Sequence, residues 1–266
     1  MQGRISKWLS KLARRVWHTL KLPCRDLRLL LDSGLWPKQG HPLSPSGIQR
    51  TKEILHCHHA LLALPEIYQP VVFSGLTYLK AKRPCKDRLA LIINDMEDPP
   101  AKVSDIGCQI GFFSFSLAER GYSVTGYDMN ARNIQICHML NGLSHLSPKP
   151  TFKNIALIPE TAESFEAADY TLCLAVFHHI IYYHGLPVAQ ELVHVLRNKT
   201  RKKLYFEIGQ SNEPVEPWAK DMPDMGSDPI VWISEFLRNG GFADVKVLGL
   251  VPTHVSNVPR YLVVAS

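Results

Sequence analysis

From Lys102 to the C-terminus, short apolar runs alternate with amphipathic helical stretches, and this alternation constrains the fold more than any other feature. Residues 103–106, 123–127, 151–156, 170–176, 203–208, 245–250 and 261–265 read as strands, and residues 112–120, 131–140, 187–196 and 230–239 as helices. Strands separated by helices must be joined by crossovers. They therefore lie parallel in a sheet that helices cover on both faces, a Rossmann-like α/β architecture. Ahead of this core, residues 48–64 and 88–96 have helical character, and Pro99-Pro100 halts the chain before the first strand. Four regions are expected: 1–31 a basic helical region, 32–47 a Gly- and Pro-rich linker, 48–100 a helical lead-in, and 101–266 the α/β core.

The chemistry begins at the first strand-turn-helix unit, Asp105-Ile-Gly-Cys-Gln-Ile-Gly111. Gly107 and Gly111 let the backbone turn tightly and approach a ligand. The helix that follows presents free N–H groups suited to a carboxylate. Asp128 ends the second strand about 20 residues on, where an acid can accept hydrogen bonds from ribose hydroxyls. A dinucleotide site would need G-x-G-x-x-G, but Gly107 and Gly111 are four apart with Gln109 between them. The D-x-G-x-x-x-G turn instead resembles the class I S-adenosylmethionine-dependent methyltransferases. The short connection between the last two strands also suits that family, whose seventh strand is antiparallel.

Ligands of parallel sheets bind beyond the C-terminal strand ends. The fourth strand runs into His178 and His179, so this pair is expected near the reacting group. A neutral imidazole there can take a proton from an acceptor hydroxyl. The alternative is a packing or capping role. After the sixth strand, the loop 251–260 brings His254 and Arg260 to the same edge, toward an anionic or sugar acceptor, unless it is only a proline-framed hairpin. Glu207 ends the fifth strand on that edge.

Charge is concentrated at the N-terminus. Residues 1–28 hold eight basic side chains and one acid, which leaves the rest of the chain at −1 out of a formal +6. A basic patch on the core itself would be wanted for nucleic acid, so that partner is disfavoured. Residues 4–21 place Ile5, Trp8, Leu9, Leu12, Val16, Trp17 and Leu20 on one helical face and basic residues on the other. Such a helix suits an anionic membrane interface. Docking on the chain's own core and a mitochondrial presequence are the other readings. No apolar run approaches the roughly 20 residues that cross a bilayer. There is no compact apolar run with a cleavage site, so a cytoplasmic protein is expected, peripheral on the inner face of the membrane if the helix binds there. The six cysteines form no C-x-x-C pair and are expected as reduced, packed thiols. No metal is expected at His56-Cys57-His58-His59, because neighbours on a helix point in different directions.

Five segments resemble the methyltransferase domain of the bacterial O-antigen chain-terminating kinase/methyltransferases. They are Leu64-Pro-Glu-Ile-Tyr-Gln69, Arg88-Leu-Ala-Leu-Ile92, the glycine turn with its helix to Ala118, Val176-Phe-His-His-Ile180, and Pro252-Thr-His-Val-Ser-Asn-Val-Pro-Arg260. The resemblance implies that Tyr68, Gln69 and Arg88 join Asp105, Gly107, Gly111 and Asp128 in binding S-adenosylmethionine. It also implies an acceptor at a glycan end, where the family methylates a terminal phosphate. The chain departs from the family by having no kinase motif set and by adding the segment ahead of Leu64. The leading expectation is an O-methyltransferase on a saccharide, phospho-saccharide or glycolipid-type acceptor, as in polysaccharide biosynthesis. An RNA methyltransferase and a non-catalytic partner of the same fold are the rivals.

Overall fold

Side chains of a strand alternate between the two faces of its sheet, and the core strands of this chain sort accordingly. Leu204 and Phe206 pack on one face and Tyr205 on the other; Val263 and Ala265 share the first face, Leu262 and Val264 the second. A computed structural model of the protein describes residues 45–77, 79–213, 216–253 and 256–266. Its seven strands are β1 (Lys102–Ile106), β2 (Ser123–Tyr127), β3 (Thr151–Lys153), β4 (Ala168–Leu174), β5 (Thr200–Glu207), β6 (Val245–Val251) and β7 (Arg260–Ala265). They form one sheet in the order β3-β2-β1-β4-β5-β7-β6. Strands β1 to β5 pair in parallel, and β7 is antiparallel to both β5 and β6. This is the Rossmann-like sheet expected, including its antiparallel last strand.

The helices are α1 (Pro45–Leu62), α2 (Lys86–Asp95), α3 (Phe112–Ala118), α4 (Ala131–Leu143), α5 (Pro159–Ala162), α6 (Phe177–His184), α7 (Leu186–Lys199) and α8 (Pro229–Asn239). Helices α6, α7 and α8 cover one face through Phe177, Leu192 and Phe236. On the other face α2 and α3 pack Ile92 and Phe113 against the strands, while α1 and α4 meet around Cys57, Leu61 and Cys137. In α1 Cys57 and His58 turn inward while His56 and His59 face solvent. Five cysteines are free and buried; Cys24 lies outside the described residues. No described helix is long and apolar enough to cross a membrane.

Three local readings are corrected. The fourth strand ends at Leu174 rather than 176, because Ala175 takes a left-handed φ of 61°. The apolar run that follows is then the unexpected helix α6, so the histidine pair sits in a first helical turn and not on a strand. The third strand stops at Lys153 rather than 156, and residues 155–158 leave the ladder to line a cavity. Helix α1 begins at Pro45, inside the span expected as linker; proline is well tolerated in a first turn, where its missing N–H is not needed. The basic helix expected over 4–21 lies outside the described residues.

Candidate active site

The strand order reverses on either side of β1, whose neighbours are β2 and β4. Chains leave β1 and β4 toward opposite faces, which opens a crevice beyond their C-terminal ends. A cavity of about 1000 Å³ occupies this place. Asp105 and Gly107 wall it after β1, Asp128 and Met129 after β2, and Leu157 after β3. Ala175, His178 and His179 wall it after β4, and Arg260 stands where β7 begins.

The glycine turn is held by its own backbone. The N–H groups of Gly107 and Cys108 both donate to the Tyr127 carbonyl, at 2.8 and 2.9 Å. Gly107 has φ +74°, and a Cβ there would lie 2.5 Å from Val176 Cγ2. Gln109 also adopts a positive φ, 53°. A non-glycine residue in this region stores strain, as does Ala175 across the cavity. Asp128 fastens the turn: Oδ2 accepts from Gln109 N at 2.8 Å, and Oδ1 accepts from Asn130 N at 2.8 Å and Asn133 Nδ2 at 3.2 Å. Burial raises its carboxyl above the usual range against these hydrogen bonds. Asp105 accepts from Ser114 Oγ at 2.6 Å, and burial, first of all, pushes its carboxyl up to about 6. Gly111 does not line the cavity; at φ +85° it turns the chain into α3.

Gln69 and Tyr68 reach the site from the irregular segment after α1. Gln69 Oε1 accepts from Phe112 N at 3.1 Å, so an N–H expected to be free for a ligand is already satisfied. Tyr68 Oη accepts from Arg83 Nη1 at 2.6 Å.

At the far end of the cavity lies a buried ionic cluster assembled from distant segments. Arg83 Nη2 donates to Glu207 Oε1 at 2.5 Å and Arg88 Nη1 to Glu207 Oε2 at 3.0 Å. Arg260 Nη1 stands 3.5 Å from Glu207 Oε1. Burial drives the Glu207 carboxyl up, and Arg88, Arg83 and Arg260 more than reverse this, holding it below the usual range. The expected reach of Arg260 toward an acceptor is corrected here. Its fork is closed on Glu213, Nε to Oε1 at 2.7 Å and Nη2 to Oε2 at 2.8 Å, and its guanidinium lies over Trp218. Three arginines and two glutamates, all buried, keep one positive charge in excess. Arg88 lines the cavity with its buried Nε unpartnered. At Arg88, the cavity-lining member of the cluster with an unpartnered N–H, an anion is the chemical complement.

His178 is buried. Its Nδ1 accepts from Gly209 N at 3.1 Å, and its ring packs on Trp218 at 4.4 Å between centroids. His179 is exposed on the cavity wall, 4.2 Å from the His178 ring. Burial first, then neighbouring positive charge, lowers the affinity of both imidazoles for a proton, of His178 most. His254 lies outside the described residues. Arg83, Glu213 and Trp218 escaped the sequence reading. All three sit in irregular segments with no periodicity to mark them.

Residues 104–201 match a family model described as a methyltransferase domain. The chain carries a methyltransferase domain. S-adenosylmethionine is the cofactor of such domains, and the site fits it: Gly107 leaves a cradle that a Cβ would fill, and Arg88 offers an open N–H to a carboxylate. The chain is 32% identical over 213 residues to the O-antigen chain terminator bifunctional methyltransferase/kinase WbdD of Escherichia coli, covering 75% of this chain and 28% of that protein. A crystal structure of WbdD superimposes with a TM-score of 0.67 at 30% identity, over 79% of this chain and 46% of that one. A ubiquinone biosynthesis O-methyltransferase of Photorhabdus laumondii is 27% identical over 122 residues, covering 44% of this chain and 45% of that enzyme. The chain thus spans less than a third of the curated WbdD sequence it resembles.

Proposed function

We propose that the protein is an S-adenosylmethionine-dependent O-methyltransferase whose acceptor is a saccharide, phospho-saccharide or glycolipid-type molecule at a membrane surface. One observation carries this reading: a single cavity runs from the glycine turn to the histidine pair, about 1000 Å³ in volume. Ligand sites span about 300–1,000 Å³, so this one is large enough to hold a donor and an acceptor together. The saccharide class rests on the likeness to WbdD, which extends over 75% of this chain.

In this reading bound S-adenosylmethionine supplies an electrophilic methyl group. Asp128 and Gly107 hold its ribose and backbone-facing edge, Met129 and Leu157 offer apolar surface to the base, and Arg88 faces the carboxylate. Tyr68 and Gln69 close the site from the segment after α1. Catalysis rests mainly on holding donor and acceptor in line, an effect that removes entropy and solvent reorganisation from the barrier. The basic segment 4–21 gives the enzyme its membrane contact.

The test is a methyl-transfer screen with labelled cofactor against sugars, phospho-sugars, glycolipids and RNA. Transfer to a saccharide-bearing acceptor, with binding to anionic vesicles at physiological salt, is expected. Transfer to RNA alone would overturn the acceptor class, and failure to bind S-adenosylmethionine in calorimetry would overturn the enzyme reading.

A further inference from the structure

The two histidines of the pair are adjacent in sequence but differently placed. The N–H of Gly209 points at Nδ1 of His178, so that nitrogen must present a lone pair. A neutral imidazole has one N–H, and here it is left on Nε2. Nε2 meets no hydrogen-bond partner among the described residues, although the ring is buried and lines the cavity. Trp218 fixes the ring plane from the side, and a Cβ at Gly209 would fall 2.2 Å from Trp218, so the three groups interlock. Protonating His178 would set an N–H against the Gly209 N–H, beside His179 on its own helix, Arg260 from β7 and Arg83 from the segment before α2. His179 has no such constraint. It is exposed on the wall of the same cavity, where Arg260 from β7 opposes its protonation and Glu216 from the loop after β5 favours it.

A second observation concerns charge at this end. The Arg260 fork is closed on Glu213, Lys82 is paired with Glu66 at 2.6 Å, and Glu216 adds a carboxylate to the wall. A phosphate dianion would meet no open guanidinium fork among the described residues lining this end.

We propose that His178 is a fixed hydrogen-bond donor that orients an acceptor oxygen through Nε2–H, that His179 alone of the pair takes the proton, and that the acceptor is a neutral hydroxyl. This rests on the methyltransferase reading above. The acceptor oxygen bonds to the methyl carbon, the carbon–sulfur bond breaks with its electron pair remaining on sulfur, and the hydroxyl proton passes to His179. The products are a methyl ether, the neutral thioether and an imidazolium that returns its proton to water.

Nitrogen-15 NMR of the full chain labelled at histidine tests the first half without any acceptor. His178 should show a pyridine-like Nδ1 and a pyrrole-like Nε2, unchanged from pH 5 to 8, while His179 titrates. His178→Asn assigns the first signal; should that variant fail to fold, His179→Gln assigns the pair by elimination. A proton on Nδ1 of His178, or titration of His178 in that range, overturns the assignment. The second half is read in single-turnover transfer to matched hydroxyl and phosphorylated forms of one sugar. The hydroxyl form should react, with a rate that falls at low pH. His179→Gln should abolish that pH limb, and His178→Gln should keep it while raising the acceptor KM at least tenfold. Transfer to the phosphorylated form alone, or loss of the limb in His178→Gln, overturns the proposal. The NMR result stands apart from the methyltransferase reading, so the two can fail separately.

Discussion

The two ends of the active-site cavity are built on different principles. The cofactor end is short-range: Asp105, Gly107 and Gly111 lie within seven residues, and backbone hydrogen bonds to Tyr127 and Asp128 hold their turn. The end proposed to take the acceptor is long-range: Arg83, Glu207, Glu213 and Arg260 come from three separate stretches of the chain and meet as buried charges, with Arg88 reaching them from the cofactor side. A backbone turn tolerates side-chain changes but not a Cβ in the wrong place. A buried ionic cluster tolerates backbone variation but not a missing charge. Damage to the two ends should therefore register in different measurements.

The largest effect is expected at Glu207. Glu207→Gln keeps the volume and removes the carboxylate that Arg83 and Arg88 contact directly. Stranding buried charge in this way costs about 3–5 kcal/mol. Urea unfolding should show this loss, and it should persist with S-adenosylmethionine present. A variant as stable as the parent would mean that water reaches the cluster and screens it.

Gly107→Ala attacks the other end. The left-handed φ costs about 1 kcal/mol for a residue with a Cβ, and the new atom would overlap Val176 Cγ2. Cofactor affinity measured by calorimetry should fall at least tenfold, with a smaller loss of stability than at Glu207. Adding Val176→Ala relieves the contact but not the backbone strain. Recovery of affinity in the double variant would locate the fault in the clash.

Arg260→Lys separates the two roles that this residue could have. Lysine keeps the charge but cannot donate two parallel hydrogen bonds to Glu213. The loss should appear as about 1–2 kcal/mol of stability, the scale of one hydrogen bond to a charged group. Acceptor KM should rise only slightly. A large KM effect with unchanged stability would return Arg260 to the acceptor's immediate surroundings, where the sequence alone had placed it.

This contrast also explains what could be read from the sequence. The glycine turn, Asp128 and the order of strands and helices are encoded in local spacing, so they were legible, as was the placing of His178 and His179 beyond β4. Helix α6 was not, because Phe177-His-His-Ile-Ile-Tyr-Tyr183 has no charged face to set a helical period and its first turn follows the left-handed Ala175. Arg83 and Glu213 were missed because a buried ion pair leaves no periodicity; each residue looks like a surface charge until its partner arrives from over a hundred or about fifty residues away. Arg260 was found but assigned an open fork, since nothing local reveals that Glu213 closes it.

The smallest expected effect lies at Asp105, where stability and function should oppose each other. Its carboxyl is raised from 3.8 to about 6 by burial, so ionisation is easier in the unfolded chain. The folded protein holds the proton over that interval while the unfolded chain releases it. Stability therefore declines as pH rises from about 4 to about 6, and the full penalty is present above. Asp105→Asn retains an oxygen for the Ser114 hydroxyl and cannot ionise. The ligand-free variant should be more stable than the parent at pH 8 by about 1–2 kcal/mol, one pKa unit being worth about 1.4 kcal/mol and the buried carboxamide keeping a desolvation cost of its own. The advantage should vanish below pH 4, where the parent carboxyl is protonated in both states. The same substitution removes a negative charge from the cavity wall, and S-adenosylmethionine carries a sulfonium and an ammonium, so cofactor affinity should fall as stability rises. Equal stability of parent and variant at pH 8 would show that Asp105 is already compensated in the free protein, and that the cofactor end, like the acceptor end, closes its charges internally.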